Sequence, residues 1–344
     1  MELIKTVIYW IVSFSWRNIA VTLISFGSMG GGTLVFNFTP DTNSFEAVNF
    51  IYSNQLNEYI GLFLILIGSL ILVVEIIKGL KKRALIFHHL GIDDIKTFDI
   101  ASARPVWDRL HRPEPQLIDC YRFYQNGIVR DPNGSLQRTL SIGHTLQNYS
   151  QVSPQDLKIY YGGMVQVPFA FVAGTILSNT MKVEVYDWDR EKEKAYSISE
   201  KSKNNELNIS VLKPQEEVAN ELCIEFEISY PICRENTLEA VGDMPTIKFS
   251  ANPQESDNAS TEKLQNDICK KFHSILDEYS NVPRIHIFIA AQNSLVFQLG
   301  RQVSLRVHPE IIVWQYENQS DRKNPWGVAI SSQGYKVFYP RHTS

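Results

Sequence analysis

The chain has 344 residues, 44% of them apolar, enough for about two packed domains, which excludes a disordered or low-complexity protein. Its 33 basic and 37 acidic side chains leave a net charge of −4, so the protein as a whole has no electrostatic reason to coat DNA or RNA. The four cysteines, Cys120, Cys223, Cys233 and Cys269, lie far apart without CxxC spacing, which argues against a zinc site or a disulfide frame and fits reduced structural thiols.

The N-terminal part is apolar. From Ile19 to Phe38 twenty consecutive residues carry no charge, about the length that crosses a hydrocarbon layer as a helix. A second run, from Tyr59 to Ile77, ends at Lys78, Lys81, Lys82 and Arg83. The residues between the runs include Asp41, Glu46 and Glu58 and no Lys or Arg, while Lys5 and Arg17 precede the first run. The charge bias therefore predicts a membrane domain over 1–83, an α-helical transmembrane hairpin (about 19–38 and 59–77) with both ends in the cytoplasm. A cleaved signal peptide is the rival reading, but Trp16 and Arg17 interrupt the stretch and a second span follows. Residues 3–16 then form an interfacial lead-in. Gly27, Ser28, Gly31 and Gly32 form small-xxx-small pairs suited to close approach of membrane helices. Glu75, three positions before Lys78, reads as a snorkelling residue beside it, with a pore-lining role as the alternative.

After Arg83 the hydropathy falls. Residues 84–116 are turn-rich and basic and read as a connector, with His88 and His89 as surface residues, since neighbouring histidines lack helical ligand spacing. From Leu117 the pattern alternates between strand and helix. "QLIDCYRFY", "LKIYYGG", "MKVEVYDWD" and "ELCIEFEISYPI" read as strands and "GSLQRTLSIGHTLQNYSQ" and "PFAFVAGTILS" as helices. Residues 189–217 read as a charged loop with an edge strand. Residues 261–279 carry Leu264, Ile268, Phe272, Ile275 and Leu276 on one side, an amphipathic helix.

Two segments share a plan of strand, small-residue turn, helix with an internal glycine, strand. They are "KIYYGGMVQVPFAFVAGTILSNTMKVEVYDWD" and "RIHIFIAAQNSLVFQLGRQVSLRVHPEIIVWQYE". Aligning Gly174 with Gly300 and allowing two extra residues before the last strand pairs Val185 with Val313, Tyr186 with Trp314 and Trp188 with Tyr316, as an internal duplication of an α/β unit would. In such units ligands sit at the carboxyl ends of the strands, where helix starts favour phosphate. On that reading Gly162, Gly163 and Met164 form one phosphate-facing turn and Ala290, Ala291, Gln292, Asn293 and Ser294 the other, with Gln166, Gln292 and Asn293 able to bond base edges. Neither turn is GxGxxG or a Walker loop. Lys158, Arg190, Arg284 and Arg301 are candidates for local positive potential.

The quoted segments, with the helix at 261–279 and the closing "NPWGVAI" at 324–330, resemble the SAVED family, fused pairs of CARF-like units in bacterial antiphage systems of the CBASS type. The resemblance implies an α/β SAVED domain of two fused CARF-like Rossmannoid halves over 117–344, divided at about 232. With two spans ahead of it, the chain resembles the two-transmembrane SAVED effectors. What this implies is a receptor, with neither a cofactor nor catalytic residues, for a cyclic oligonucleotide made by a partner nucleotidyltransferase, commonly a trinucleotide. Ligand binding is expected to drive homo-oligomerisation and disruption of the bacterial inner membrane, a form of abortive infection. The family's ligand-contacting turns fall on Gly162–Gln166 and Ala290–Ser294, and by the same correspondence Ser229, Tyr230, Tyr186, Trp188 and Tyr316 are candidates for base stacking or edge bonding. Two other readings stay open. Asp187 and Asp189 form a DxD of the kind glycosyltransferases use to hold a metal and a sugar nucleotide, and a membrane-tethered scaffold needs no small ligand.

Overall fold

The structure is a computed structural model that describes residues 22–25, 33–38, 45–51, 55–92, 99–105, 108–189, 192–199, 209–214, 220–251 and 261–340. The chain divides into two compact units, Met1–Lys82 and Arg83–Ser344.

In the first unit residues 22–25 are helical, and β1 (Thr33–Phe38) pairs antiparallel with β2 (Phe45–Ile51). The helix predicted over 19–38 therefore does not run to its end. Three consecutive glycines at 30–32 are poor helix formers, and the "TLVFNF" that follows carries Thr33, Val35, Phe36 and Phe38, β-branched and aromatic residues that favour a strand. Gly27, Ser28, Gly31 and Gly32 lie outside the described residues. The second predicted span is helical: α1 (Gln55–Lys81) contains it and continues four residues beyond Ile77. Among the described residues this is the one helix long and apolar enough to cross a membrane, over Tyr59–Lys81. Glu75 pairs with Lys78 at 3.1 Å.

The second unit is built twice over. Its first sheet has the order β4-β3-β7-β8-β9, formed by Arg112–Asp119, Arg83–Leu90, Leu157–Met164, Val183–Asp189 and Lys194–Ser197. The first four strands are parallel and β9 is antiparallel to β8. The second sheet has the order β10-β12-β11-β13-β14-β15-β16, formed by Ile209–Leu212, Thr246–Ala251, Glu221–Glu227, Arg284–Ala290, Glu310–Gln315, Trp326–Ser331 and Gly334–Phe338. Its strands β12-β11-β13-β14 are again parallel and β15 runs against β14. Helices occupy matching places: α3 (Pro132–Asn148) and α6 (Glu262–Glu278) precede β7 and β13, and α4 (Val167–Ile176) and α7 (Asn293–Gly300) follow them. Ahead of α3 in the chain stand α2 (Ile100–Ala103) and the small pair β5 (Tyr124–Gln125) and β6 (Ile128–Val129), and between α4 and α6 stands α5 (Arg234–Val241).

This repeat corrects two boundaries. Residues 84–90, expected in a connector, belong with Arg83 to an inner strand with parallel neighbours on both sides. The strand at 221–227, placed in the first half, pairs into the second sheet beside β13. The halves are thus 83–199 and 209–338 by strand pairing. Sequence missed β3 because "RALIFHHL" follows a basic run and its partners lie far along the chain.

His89 makes the difference concrete. It is fully buried, Nδ1 lies 2.9 Å from the Tyr161 hydroxyl and Nε2 3.2 Å from Thr139 Oγ1. Burial pushes its pKa down to about 3, so it folds neutral. Below about pH 6.5 the unfolded chain takes up a proton that the folded chain refuses, and stability is lost as pH falls from there toward 3, at about 1.4 kcal/mol per pH unit from this group. Denaturant titrations at pH 7, 6 and 5 should show this slope, shallower in His89→Gln; equal slopes would contradict it.

One continuous core serves both halves. At its centre α4 and α7 cross, and the sequences Phe171-Val-Ala-Gly174 and Phe297-Gln-Leu-Gly300 notch into each other. A Cβ on Gly174 would collide with the Phe297 carbonyl oxygen, and one on Gly300 with the Phe171 carbonyl oxygen. Each glycine thus admits the backbone of the residue three positions before its partner, as an approximate two-fold axis between the helices requires. Tyr161 stacks on Phe297 at 3.9 Å between ring centroids, and Arg301 donates to the Ser178 and Met181 carbonyls at the end of α4. Away from the axis the buried Glu317 accepts the Val129 N–H and the Trp326 indole N–H, both at 3.0 Å.

Candidate functional site

The repeat places two equivalent strand-to-helix turns side by side. Gln166 and Gln292 both cap their helices, with φ, ψ of −58°, 144° and −65°, 149°. In the first half the Met164 carbonyl accepts the N–H groups of Gly91 and Ile92; in the second the Ala290 carbonyl accepts those of Ile228 and Ser229. These bonds fold the segments after β3 and β11 over the strand ends.

Between the turns lies a cavity of about 690 Å³, within the range of small-molecule sites. Of the sequence-predicted residues, Met164, Gln166 and Trp188 line it from the first half. Ser229, Tyr230, Ala290, Ala291, Gln292, Asn293 and Tyr316 line it from the second. Four predicted residues do not line it. Gly162 and Gly163 are inside β7, where a Cβ on Gly163 would collide with the His89 carbonyl oxygen, so the double glycine serves close strand approach and the turn comes at Val165 and Gln166. Tyr186 is 1% exposed, beneath Trp188 in a small core with Tyr160 and Ile86. Ser294 is buried and acts across the halves: its hydroxyl donates to Asp187 Oδ2 at 2.5 Å and accepts from Gln265 Nε2 at 2.8 Å. Asp187 Oδ1 in turn accepts the Trp188 N–H at 2.8 Å, which fixes that side chain at the cavity wall.

Sequence reasoning passed over other lining residues, among them Tyr196, Phe288, Trp314, Gln315 and Cys233. The alignment of Trp314 with Tyr186 carried a signal for one of them. Trp314 lies parallel to Phe288 and donates from Nε1 to His286 Nδ1 at 3.1 Å; His286 Nε2 lies 3.1 Å from Glu221. Burial lowers the His286 pKa, which keeps Nδ1 free to accept. The loop at 228–233 is held by Glu227, which accepts the Ile232 N–H at 2.8 Å and pairs with Lys248 at 2.8 Å. Burial alone would raise the Glu227 carboxyl, but these partners outweigh it and hold it below its ordinary value.

The wall is aromatic and amide-rich, and its described residues include no Lys or Arg. Lys158 pairs with Asp108 at 2.6 Å, Arg284 with Glu221 and Glu310, and Arg301 binds carbonyls, all away from the cavity; Arg190 lies outside the described residues. Anion-binding capacity among the described residues rests on backbone N–H groups at the helix starts, fewer on α4 because Pro168 has none. The DxD geometry fits metal binding poorly: both Asp187 oxygens are engaged, and Asp189 pairs with Lys192 at 3.4 Å. Of the four cysteines Cys233 alone is exposed, and it lines the cavity; the thiols of Cys120, Cys223 and Cys269 are each pushed up to about 12 by burial.

Paired α/β units with one shared cavity at their strand ends define a two-fold-built α/β architecture. The family model described as "SMODS-associated and fused to various effectors sensor domain", SAVED, matches residues 143–330, more than half of the sequence, and the chain belongs to the SAVED family. No curated protein matches it. Among solved structures it is similar to the Acinetobacter baumannii Cap4 SAVED/CARF-domain receptor with the cyclic trinucleotide 2'3'3'-cAAA, at 12% identity and a TM-score of 0.48, over 80% of this chain and 60% of that one. The same receptor with 3'3'3'-cAAA gives 13% and 0.48 over 80% and 60%. The Moraxella osloensis Cap4 receptor gives 15% and 0.41 over 75% and 50%. The chain thus spans 60% or less of the length of these receptors.

Proposed function

We propose that this protein is a membrane effector of antiphage defence whose SAVED domain binds a cyclic oligonucleotide, most simply a trinucleotide, and oligomerises on binding it. The observation that carries the reading is the cavity shared by two equivalent turns and walled by Trp188, Tyr196, Tyr230, Phe288, Trp314 and Tyr316. Flat aromatic faces hold bases at about 1–3 kcal/mol each, and helix-start N–H groups accept phosphodiester oxygens. The apolar helix Tyr59–Lys81 supports attachment to a bilayer, with the basic cluster that follows it on the cytoplasmic side. Assembly of the SAVED domains would then gather these helices and breach the membrane.

The test uses the purified full-length chain in detergent with cyclic tri-adenylate and related rings. Saturation at about a hundred times Kd should stabilise the fold by about 2.7 kcal/mol and increase light scattering. The same ring should slow maleimide labelling of Cys233 while Cys120, Cys223 and Cys269 stay unlabelled. A panel of rings that neither stabilises the chain nor shields Cys233 would refute the receptor reading.

A further inference from the structure

Away from the cavity, three side chains converge on one point. His273 and Asp277 stand four residues apart on α6 and so share a face, and His308 reaches the same carboxylate from the turn between α7 and β14. His273 Nε2 lies 3.6 Å from Asp277 Oδ2, and His308 Nε2 lies 3.4 Å from Asp277 Oδ1. Among the described residues Asp277 has no Lys or Arg partner, so its charge is met by imidazoles alone.

The backbone decides which ring nitrogens are free. The Ser304 N–H donates to His308 Nδ1 at 3.1 Å, so that ring keeps its proton on Nε2 and donates it to Asp277 Oδ1. Burial lowers the His308 pKa, in keeping with a neutral ring. His273 has the opposite arrangement. Its Nδ1 lies 3.4 Å from the Gln302 carbonyl oxygen, which holds a proton there, and in the neutral ring Nε2 turns a lone pair toward Asp277 Oδ2. Two electron-pair donors then face each other with no proton between them.

Their separation suits a metal ion. Bonds of about 2.0–2.1 Å at the tetrahedral angle put neighbouring ligand atoms about 3.3–3.4 Å apart, close to the 3.6 Å found between Nε2 and Oδ2. Imidazole nitrogen beside carboxylate oxygen favours an ion of the zinc class over magnesium or calcium, which take oxygen. His273 and Asp277 are 44% and 58% exposed at the side chain, so an ion has open access. The geometry assigns to His273 Nε2 and Asp277 Oδ2 a site for a zinc-class divalent cation, completed by water, with His308 steadying the carboxylate through its other oxygen. A ligand histidine fixed by a carbonyl and a ligand carboxylate fixed by an N–H are the outer contacts that orient metal ligands. None of the three residues lines the cavity, so the site stands apart from the receptor reading.

The experiment uses the full-length chain in detergent, stripped with a chelator, and follows zinc chloride by calorimetry and thermal melts, with magnesium chloride as the comparison. Cys233, the exposed thiol, is blocked with N-ethylmaleimide so that it cannot compete. Saturating zinc should raise Tm by about 5 °C or more, and magnesium should leave it in place. His273→Gln and Asp277→Asn, both at exposed positions, should each abolish the zinc-induced shift while folding as the parent does. A folded His308→Gln should bind zinc at least about tenfold more weakly, and an undiminished affinity there would remove His308 from the site. No zinc-induced shift in the parent, an equal shift with magnesium, or a shift that persists in folded His273→Gln and Asp277→Asn would overturn the assignment.

Discussion

Replacing Gly300 with alanine should cost the protein about 3–5 kcal/mol, even though alanine is the better helix former by about 1 kcal/mol. The new methyl group would meet the carbonyl oxygen and Cα of Phe171, which belong to a helix buried on every side and unable to retreat. Gly174→Ala should cost as much, because its methyl meets Phe297 and the backbone around Arg301. For a unit of this size the loss corresponds to roughly 10 °C in Tm. Gly143→Ala is the internal control: it is also helical, but its Cβ would find only Ile176 Cγ2 at 3.7 Å, an ordinary contact. That variant should be neutral or slightly stabilised. Thermal melts of the three full-length variants decide the matter, and similar Tm values for all three would show that the helices do not cross at these glycines.

Filling the cavity should do the opposite, removing binding while the fold survives. Ala291 stands on the wall between β13 and α7 and is partly exposed. A tryptophan there would bring about 150–250 Å² of side chain into the space a base needs. Ala291→Trp should weaken ring binding at least about a hundredfold, or about 2.7 kcal/mol, with Tm within a few degrees of the parent. Undiminished affinity in a folded Ala291→Trp would place the ligand elsewhere. Gly163, which sequence alone offers as an equal target, is unsuitable, since a side chain there strikes the neighbouring strand and unfolding would mask any effect on binding.

That contrast shows what the sequence discloses and what it withholds. Helix α6 is legible almost to the residue, because Leu264, Ile268, Phe272, Ile275 and Leu276 recur at helical spacing and all are buried. The pairing of Gly174 with Gly300 is legible too, although not its meaning, which is a backbone contact between the two helices. The double glycine at 162–163 misleads because its local signal is a turn, whereas the strands on either side, β3 and β8, impose extended backbone. Tyr186 and Trp188 illustrate the remaining limit. Both sit on one face of β8, and only packing by Ile86, Tyr160 and α2 decides that the first is covered and the second lines the cavity. The first apolar run shows the same competition in another form, where twenty uncharged residues satisfy a length criterion but three glycines and a β-branched tail divide them between conformations.

The reciprocal notch also bears on biosynthesis. Helix α4 has no polar face, and Pro168 through Thr175 are all covered in the finished protein, in part by α7. That cover is translated more than a hundred residues later. At ribosomal speeds of about 5–20 residues per second, the side of α4 that α7 covers waits several seconds or longer for its partner. Newly made chains are therefore most exposed to chaperone capture and to mispairing with a sister polypeptide during that interval, before the second repeat emerges and closes the joint.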